Sequence, residues 1–283
     1  MTADVRVVSW NVRFAGPKVA EAQSDYLRSL GARLLLLQEV NAASLDVYRR
    51  SAGVDWLTSS RSMPIDGFER SRRPGAAIGG RRIDLVRALP ELGAAPLPER
   101  VHRAIVRIGT GEASVASYYA PPGVSFGYRK VENALAFLVW IQGVASAVVL
   151  GVDANSPRID HPDFSLTKSW WHSGTPMMRG RPGDDALWGP NMKHHLKDAL
   201  RVWLKAHPDQ LASAAAARPE GPLAVSHWTG KRTLRPEAGT PRRYDAIWIS
   251  DDFAVVNISY ISEVMPALSD RAAVVADLDF QSD

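Results

Sequence analysis

The feature that most constrains this chain is an apolar run that ends in paired polar residues. Residues 146–157 read Ser-Ala-Val-Val-Leu-Gly-Val-Asp-Ala-Asn-Ser-Pro, and Ala147 to Leu150 predict a buried strand that stops at Gly151. Asp153 and Asn155 follow, two residues apart and so on one side of an extended backbone. A carboxylate and a carboxamide are poor core residues there. They suit a hard cation or a phosphate, or else an Asx turn that closes the strand.

The same punctuation recurs along the chain. Val5 to Trp10 is a strand-like run that ends at Asn11, and Leu34 to Leu37 runs straight into Gln38-Glu39. Between them, Val19, Ala22, Tyr26, Leu27 and Leu30 have helical spacing over residues 18–30, with Gly31 as the stop. Asn41 caps a predicted helix through Arg50. Ser59–Arg82 is rich in Arg, Gly and Pro and predicts a loop. Strands are expected at Ile83–Ala88, Ala104–Ile108 and Ala113–Tyr119, the last two joined by a hairpin turn at Gly109-Thr110-Gly111. Residues 129–142 predict a helix with Val131, Leu135, Leu138 and Val139 on one face, closed by Gly143.

Residues 156–193 read as a long irregular insertion. A helix is expected over His195–Ala206, ended by Pro208, and 207–243 reads as irregular. Tyr244–Ile249, Ala254–Ile261 and Ala272–Leu278 close the chain as strands. No repeat and no clean linker interrupts the 283 residues, so one domain is expected.

Composition narrows the chemistry. The chain has no cysteine, which excludes disulfides, thiolate catalysis and Cys-based zinc sites. No secretory signal and no membrane-spanning run is visible, so a cytoplasmic protein without a membrane partner is expected. The net charge is +4 and its basic residues are clustered, at Arg70, Arg72, Arg73, Arg81 and Arg82, at Lys231, Arg232 and Arg235, and at Arg242 and Arg243. Such clusters fit a phosphorylated partner or simply solvated loops.

Six short segments, in order, carry a family resemblance: Ser9-Trp10-Asn11, Gln38-Glu39, Tyr119-Ala-Pro-Pro, Gly151-Val-Asp153-Ala-Asn155, Arg243-Tyr-Asp245 and Ser269-Asp270. The series resembles that of the endonuclease/exonuclease/phosphatase superfamily over residues 5 to 279. The resemblance implies an α+β fold, a two-sheet β-sandwich flanked by helices in four layers. It implies a Mg²⁺-dependent (or Mn²⁺-dependent) phosphoesterase acting on a phosphorylated substrate, nucleic acid or nucleotide-like, with no protein partner implied. Carried over, Glu39 is the principal metal ligand, with Asn11 and Asp270 in the metal set. Asp153 orients or deprotonates the attacking water, Asn155 binds the scissile phosphate, and Tyr119 and Asp245 complete the catalytic group.

Two departures stand out. The last motif is normally Ser-Asp-His, with the histidine paired to the carboxylate at Asp245, whereas here it is Arg271. An arginine has no acceptor lone pair and cannot be a general base. It could form a two-point ion pair with Asp245 or place fixed charge on a phosphate. Hydrolysis with Asp153 as base, phospho-ligand binding without hydrolysis, and chemistry redirected to another reaction all follow as readings. The second departure is Tyr119, where some members carry His and others Tyr. None of the seven histidines falls in either slot.

The remaining candidates are weaker. Arg72, Arg73 and Arg103 are placed as substrate-binding cations at the same rim. His194-His195 diverge around a helix and read as a surface pair. Asp184-Asp185 and Asp251-Asp252 read as solvated or capping residues, and Trp140 and Trp203 as packing. Trp170, Trp171 and Trp188 either cover a substrate or pin the insertion to the body.

Overall fold

A computed structural model describes residues 4–62, 74–169, 181–229 and 239–281. In chain order its strands and helices begin with β1 (Val5–Asn11), α1 (Pro17–Ser29), β2 (Leu34–Val40), α2 (Ala42–Ser51), β3 (Trp56–Ser59) and β4 (Gly75–Gly80). Next come β5 (Asp84–Ala88), β6 (Val101–Ile108), β7 (Gly111–Tyr119), α3 (Gly123–Phe126), α4 (Tyr128–Gly143), β8 (Ala147–Asp153) and α5 (Arg181–Trp188). The chain closes with β9 (Lys197–Asp198), α6 (Ala199–Ala206), α7 (Pro208–Ala217), β10 (His227–Thr229), β11 (Thr240–Arg242), β12 (Asp245–Ile249), β13 (Phe253–Ile261) and β14 (Ala273–Phe280).

Two six-stranded mixed sheets result. The first is ordered β13-β14-β1-β2-β4-β3 and the second β5-β6-β7-β8-β12-β9, with β10-β11 as a separate ribbon. The strand period of two divides the apolar residues among three cores. Val5, Val7, Leu34 and Leu36 meet Ala113, Val115, Val149, Ile247 and Ile249 between the sheets. Val8, Trp10, Leu35 and Leu37 face the layer of α1 and α2, whose buried residues include Leu27, Leu45 and Tyr48. Ala116, Tyr118, Val148, Leu150 and Trp248 face Phe137, Ile141 and Leu187 of α4 and α5. The expected four-layer α/β/β/α architecture is therefore present.

The inner faces change character toward one end. Following them past the core, β1 reaches Ser9 and Asn11, β2 reaches Gln38, β7 reaches Ser117 and Tyr119, and β8 reaches Asp153. Gln38 Nε2 donates to Ser117 Oγ across the sheets at 3.0 Å, and Ser117 Oγ donates to the Leu37 carbonyl at 2.7 Å. This buried amide–hydroxyl seam marks the passage from apolar core to polar rim.

Several expectations need correction. β8 does not stop at Gly151 but continues to Asp153. A Cβ on Gly151 would lie 2.6 Å from Ser9 Oγ and 2.7 Å from Leu36 Cβ, so glycine there permits the close approach of the sheets. The expected loop Ser59–Arg82 contains β4, Gly-Ala-Ala-Ile-Gly-Gly, which pairs with both β2 and β3. Its small residues carry no strand signal because neighbours fill their space, and the Trp56 ring lies where a Gly80 Cβ would be. The buried face of α4 is out of phase with the expected one. Val131, Ala134, Phe137, Leu138 and Ile141 are buried, whereas Leu135 and Val139 are 40% and 68% exposed.

The regions read as irregular also hold structure: α5 lies within 156–193, and α7, β10 and β11 within 207–243. The helix expected from His195 starts only at Ala199, after the short strand β9, with Asp198 as its cap. Asp184 is buried in α5 and paired with the buried Lys130 of α4 at 2.9 Å. Burial pushes its carboxyl up to about 7, against the pull of Lys130. Trp188 is buried against Trp248 and His194, with ring centroids 5.4 and 6.4 Å away, so it pins the insertion to the body. Among the described residues no helix is long and apolar enough to cross a membrane.

One charged knot holds the far side of the insertion. Arg243 spans Asp160 (Nε to Oδ2, 2.6 Å) and Asp198 (Nη2 to Oδ2, 2.5 Å), and Arg201 also pairs with Asp160. All four side chains are largely buried. Burial alone would raise Asp160, yet Arg243 and Arg201 hold its carboxyl down at about 2.

Two outcomes follow. Gly151→Ala should lower stability by about 1–3 kcal/mol through overpacking between the sheets, read as a shift in urea midpoint. Asp160→Asn should cost about 3 kcal/mol at pH 7, because two buried arginines lose a charged partner. The folded pKa of Asp160 lies below its ordinary 3.8, so its contribution is complete above that value and fades toward pH 2. The gap between parent and variant midpoints should therefore narrow below about pH 4.

Candidate active site

The strand ends of both sheets meet in one continuous polar network. Asn11 stands at its centre, donating through Nδ2 to Glu39 Oε1 (2.8 Å) and to Asp153 Oδ2 (2.7 Å), while its Oδ1 accepts from the Arg13 N–H (2.8 Å). Its amide nitrogen thus faces two carboxylates and its oxygen accepts from the backbone, so Asn11 bridges Glu39 and Asp153.

Backbone strain aims two of the residues. Glu39 sits at a register shift of β2 against β4 with φ of 56°, and Asn155 has φ of 46°. Left-handed conformations at non-glycine residues are sparsely populated and persist where the surroundings enforce them. The bulge turns Glu39 out of the inner-face alternation and toward the rim. Asn155 is held by its N–H to Asp153 Oδ1 (3.0 Å) and its Nδ2 to the Ala120 carbonyl (2.9 Å). The Asx turn and the polar cluster are thus one feature.

Arg271 is 6% exposed and lies across the network. Its Nη2 is 3.2 Å from Asp153 Oδ2 and donates to Asn155 Oδ1 at 3.0 Å. The two-point pair with Asp245 does not form: Nη1 stands 3.9 Å from Asp245 Oδ2, and neither atom has a hydrogen-bond partner among the described residues. Burial lowers the guanidinium, but Asp153, Asp245, Asp270 and Glu39 raise it further, so it carries a permanent charge. Trp10 Nε1 donates to its carbonyl (3.1 Å), and its N–H to Ser269 Oγ (3.2 Å).

The carboxylates fall into distinct states. Asp153 is fully buried and both its oxygens are engaged: Oδ1 accepts from the Asn155 N–H, and Oδ2 from Asn11, with Arg271 Nη2 3.2 Å away. Asp245, its cross-strand neighbour, is held well above the ordinary carboxylate range by burial and then by the charge of Asp153, with Arg271 opposing. Burial also raises Glu39, against the pull of Asn11. Glu39 forms no ion pair among the described residues. A partly buried carboxylate of that kind suits Mg²⁺, which needs only one or two carboxylates and keeps several waters. Asp270 lies farther out, 26% exposed and 4.0 Å from Arg13 Nε.

Tyr119 follows Glu39 and Asp153 at the rim, paired in register with Asp153. Burial and the neighbouring carboxylates keep its hydroxyl protonated, with Arg100 opposing. The expected substrate-binding cations fare otherwise. Arg103 is not at the site: odd-numbered residues of β6 face α4, and its guanidinium donates to the Pro90 carbonyl (2.6 Å) over the Trp140 ring (5.4 Å). Arg72 and Arg73 lie outside the described residues, as do Trp170 and Trp171.

Two residues the sequence did not single out do reach the network. Arg100, three positions before Arg103, stacks on Tyr119 (4.2 Å) and Phe126 (4.6 Å). His227 is half-buried on the other flank, its Nδ1 3.0 Å from the Asp270 carbonyl and its ring stacked on Tyr244 at 5.7 Å. Burial and then Arg271 hold its pKa below the ordinary value. A basic residue just before Tyr119's paired strand was a weak signal for Arg100. Nothing in the sequence marked His227.

No protein-family model and no curated protein matches the sequence. In three dimensions the chain is similar to D. rerio TDP2 humanized by 14 mutations (12% identity, 97% of this chain and 98% of that chain, TM-score 0.65). It is also similar to an endonuclease/exonuclease/phosphatase from Bacteroides vulgatus (13%, 98% and 98%, 0.63) and to a family protein of the same description from Bacteroides thetaiotaomicron (16%, 98% and 98%, 0.64). The chain therefore has the endonuclease/exonuclease/phosphatase fold across nearly its whole length.

Arg271→Met should destabilise the protein by about 3–5 kcal/mol at neutral pH, because it leaves Asp153 and Asp245 buried without their cation. A urea midpoint within error of the parent would contradict this account of the network.

Proposed function

We propose that the protein is a Mg²⁺-dependent phosphoesterase that hydrolyses phosphodiester bonds in nucleic acid or a nucleotide-like substrate. The observation that carries the reading is the convergence of Asn11, Glu39, Tyr119, Asp153, Asn155 and Arg271 from the ends of both sheets, with Glu39 and Asn155 in strained conformations. The fold similarity supports it.

Glu39 would hold the cation, with Asp270 at the lip. Bound there, Mg²⁺ (or Mn²⁺) would supply charge neutralisation at phosphoryl oxygens and a more acidic water. The chain's own groups do the rest. Arg271 offers a fixed positive charge toward oxygens that gain charge during in-line attack. Asn11 locks Glu39 against Asp153. Asp153 holds Arg271 and Asn155 in place.

The ion pair of Arg271 with Asp153 also favours a second reading, a phospho-ligand binder in which Arg271 blocks turnover. A panel of chromogenic phosphodiester, duplex DNA and RNA, assayed with Mg²⁺ and with Mn²⁺, separates the two. The hydrolase reading expects release that stops with chelator and falls by about 10²-fold or more in Glu39→Gln. Silence on every substrate, together with saturable binding of inorganic phosphate, would establish the binder. Silence without phosphate binding would sink both.

A further inference from the structure

A water attacking phosphorus needs an acceptor to orient it. Both oxygens of Asp153 already accept from Asn155, Asn11 or Arg271, and Asp245 is sealed from solvent at 1% exposure. Glu39 is the residue assigned to the cation. Arg271 and Arg100 only donate.

A neutral acceptor also stands among the described residues, and the backbone delivers it. Ser226 O accepts from the Ala272 N–H (2.9 Å), and Ser226 Oγ accepts from the Tyr244 N–H (2.9 Å) and the Asp245 N–H (3.1 Å). The Ser226-His227 step is thereby laid between the start of β12 and the start of β14, beside Asp245 and Arg271. His227 Nδ1 lies 3.0 Å from the Asp270 carbonyl oxygen. A carbonyl can only accept, so Nδ1 carries the proton and Nε2 presents a lone pair. The ring is clamped on Tyr244, against which Arg271 also packs, its Cζ 5.3 Å from the ring centre. No described residue takes Nε2 as a hydrogen-bond partner.

We infer that His227, from the β10 ribbon, orients the attacking water or a substrate hydroxyl by accepting a hydrogen bond at Nε2, a positioning contact beside Arg271. This rests on the phosphoesterase reading above. The role needs the fixed tautomer and the placement of the ring, and both come from Ser226 and the Asp270 carbonyl.

The test uses the full chain with ¹⁵N-labelled histidine, in two-bond ¹H–¹⁵N spectra of the imidazoles, titrated with inorganic phosphate in the presence of Mg²⁺. His227→Gln identifies the signal. The expected result is a proton on Nδ1, an unprotonated Nε2, and an Nε2 resonance that moves saturably with phosphate. In turnover, His227→Gln should lower kcat by about 10²-fold while KM stays within about threefold, with the melting temperature unchanged. A proton on Nε2, or phosphate binding that leaves Nε2 unmoved, overturns the assignment alone. Absence of phosphate binding overturns the phosphoester reading and this assignment with it. A kcat that falls only in step with melting temperature marks His227 as structural and overturns the role.

Discussion

The site depends on one buried guanidinium. Arg271 sits where two sheets run out of apolar residues, and the acids that converge there could not coexist in so little water without a fixed cation. Asp153 is fully buried, Asp245 nearly so, and Glu39 is partly covered. Mutual repulsion and desolvation would neutralise them one by one. Arg271 pairs with Asp153 and pulls Asp245 down, although Asp245 still lies above its usual range. The charge that organises the rim is thus the same charge that occupies its most buried carboxylate.

The sandwich makes that arrangement possible. Alternation places Val5, Val7, Leu36, Val149 and Ile247 in the central core, and the same alternation carried a few residues farther places Asn11, Asp153 and Asp245 at its mouth. The Gln38–Ser117 seam separates the two regimes and satisfies polar groups that would be costly in a dry core. Gly151 lets the sheets approach closely just below Asp153. Rigid strands thus fix most of the site, while the bulge at Glu39 and the Asx turn at Asn155 do the fine aiming.

Much of this was legible in the sequence because the signals were local. An apolar run that ends in Asn11, Glu39 or Asp153 announces both a buried strand and a polar end, and Asn41 announces its helix by a capping box. What was illegible depended on partners remote in sequence. β4 is a strand because Trp56 and Leu57 fill the space above its glycines, not because Gly-Ala-Ala-Ile-Gly-Gly favours extension. The buried face of α4 is hidden in a helix apolar on nearly every side. Arg103 and Arg100 are equally basic in sequence, but strand parity turns the first toward α4, while the second stacks on Tyr119.

The same distinction explains the histidine. A sequence reading searches for an imidazole in the slot before a strand, and position 271 holds arginine. Three-dimensional pairing does not respect that slot: Ser226 ties β12 to β14, and the next residue is carried to within hydrogen-bonding distance of the residue that precedes Arg271. A permanent cation and a fixed acceptor are chemically different parts, and one histidine cannot be both at once. Dividing them between Arg271 and His227 lets the rim hold charge on one side chain and orient a hydrogen bond with the other. Asp153, locked beneath, serves as the anchor for both the cation and the strained amide of Asn155.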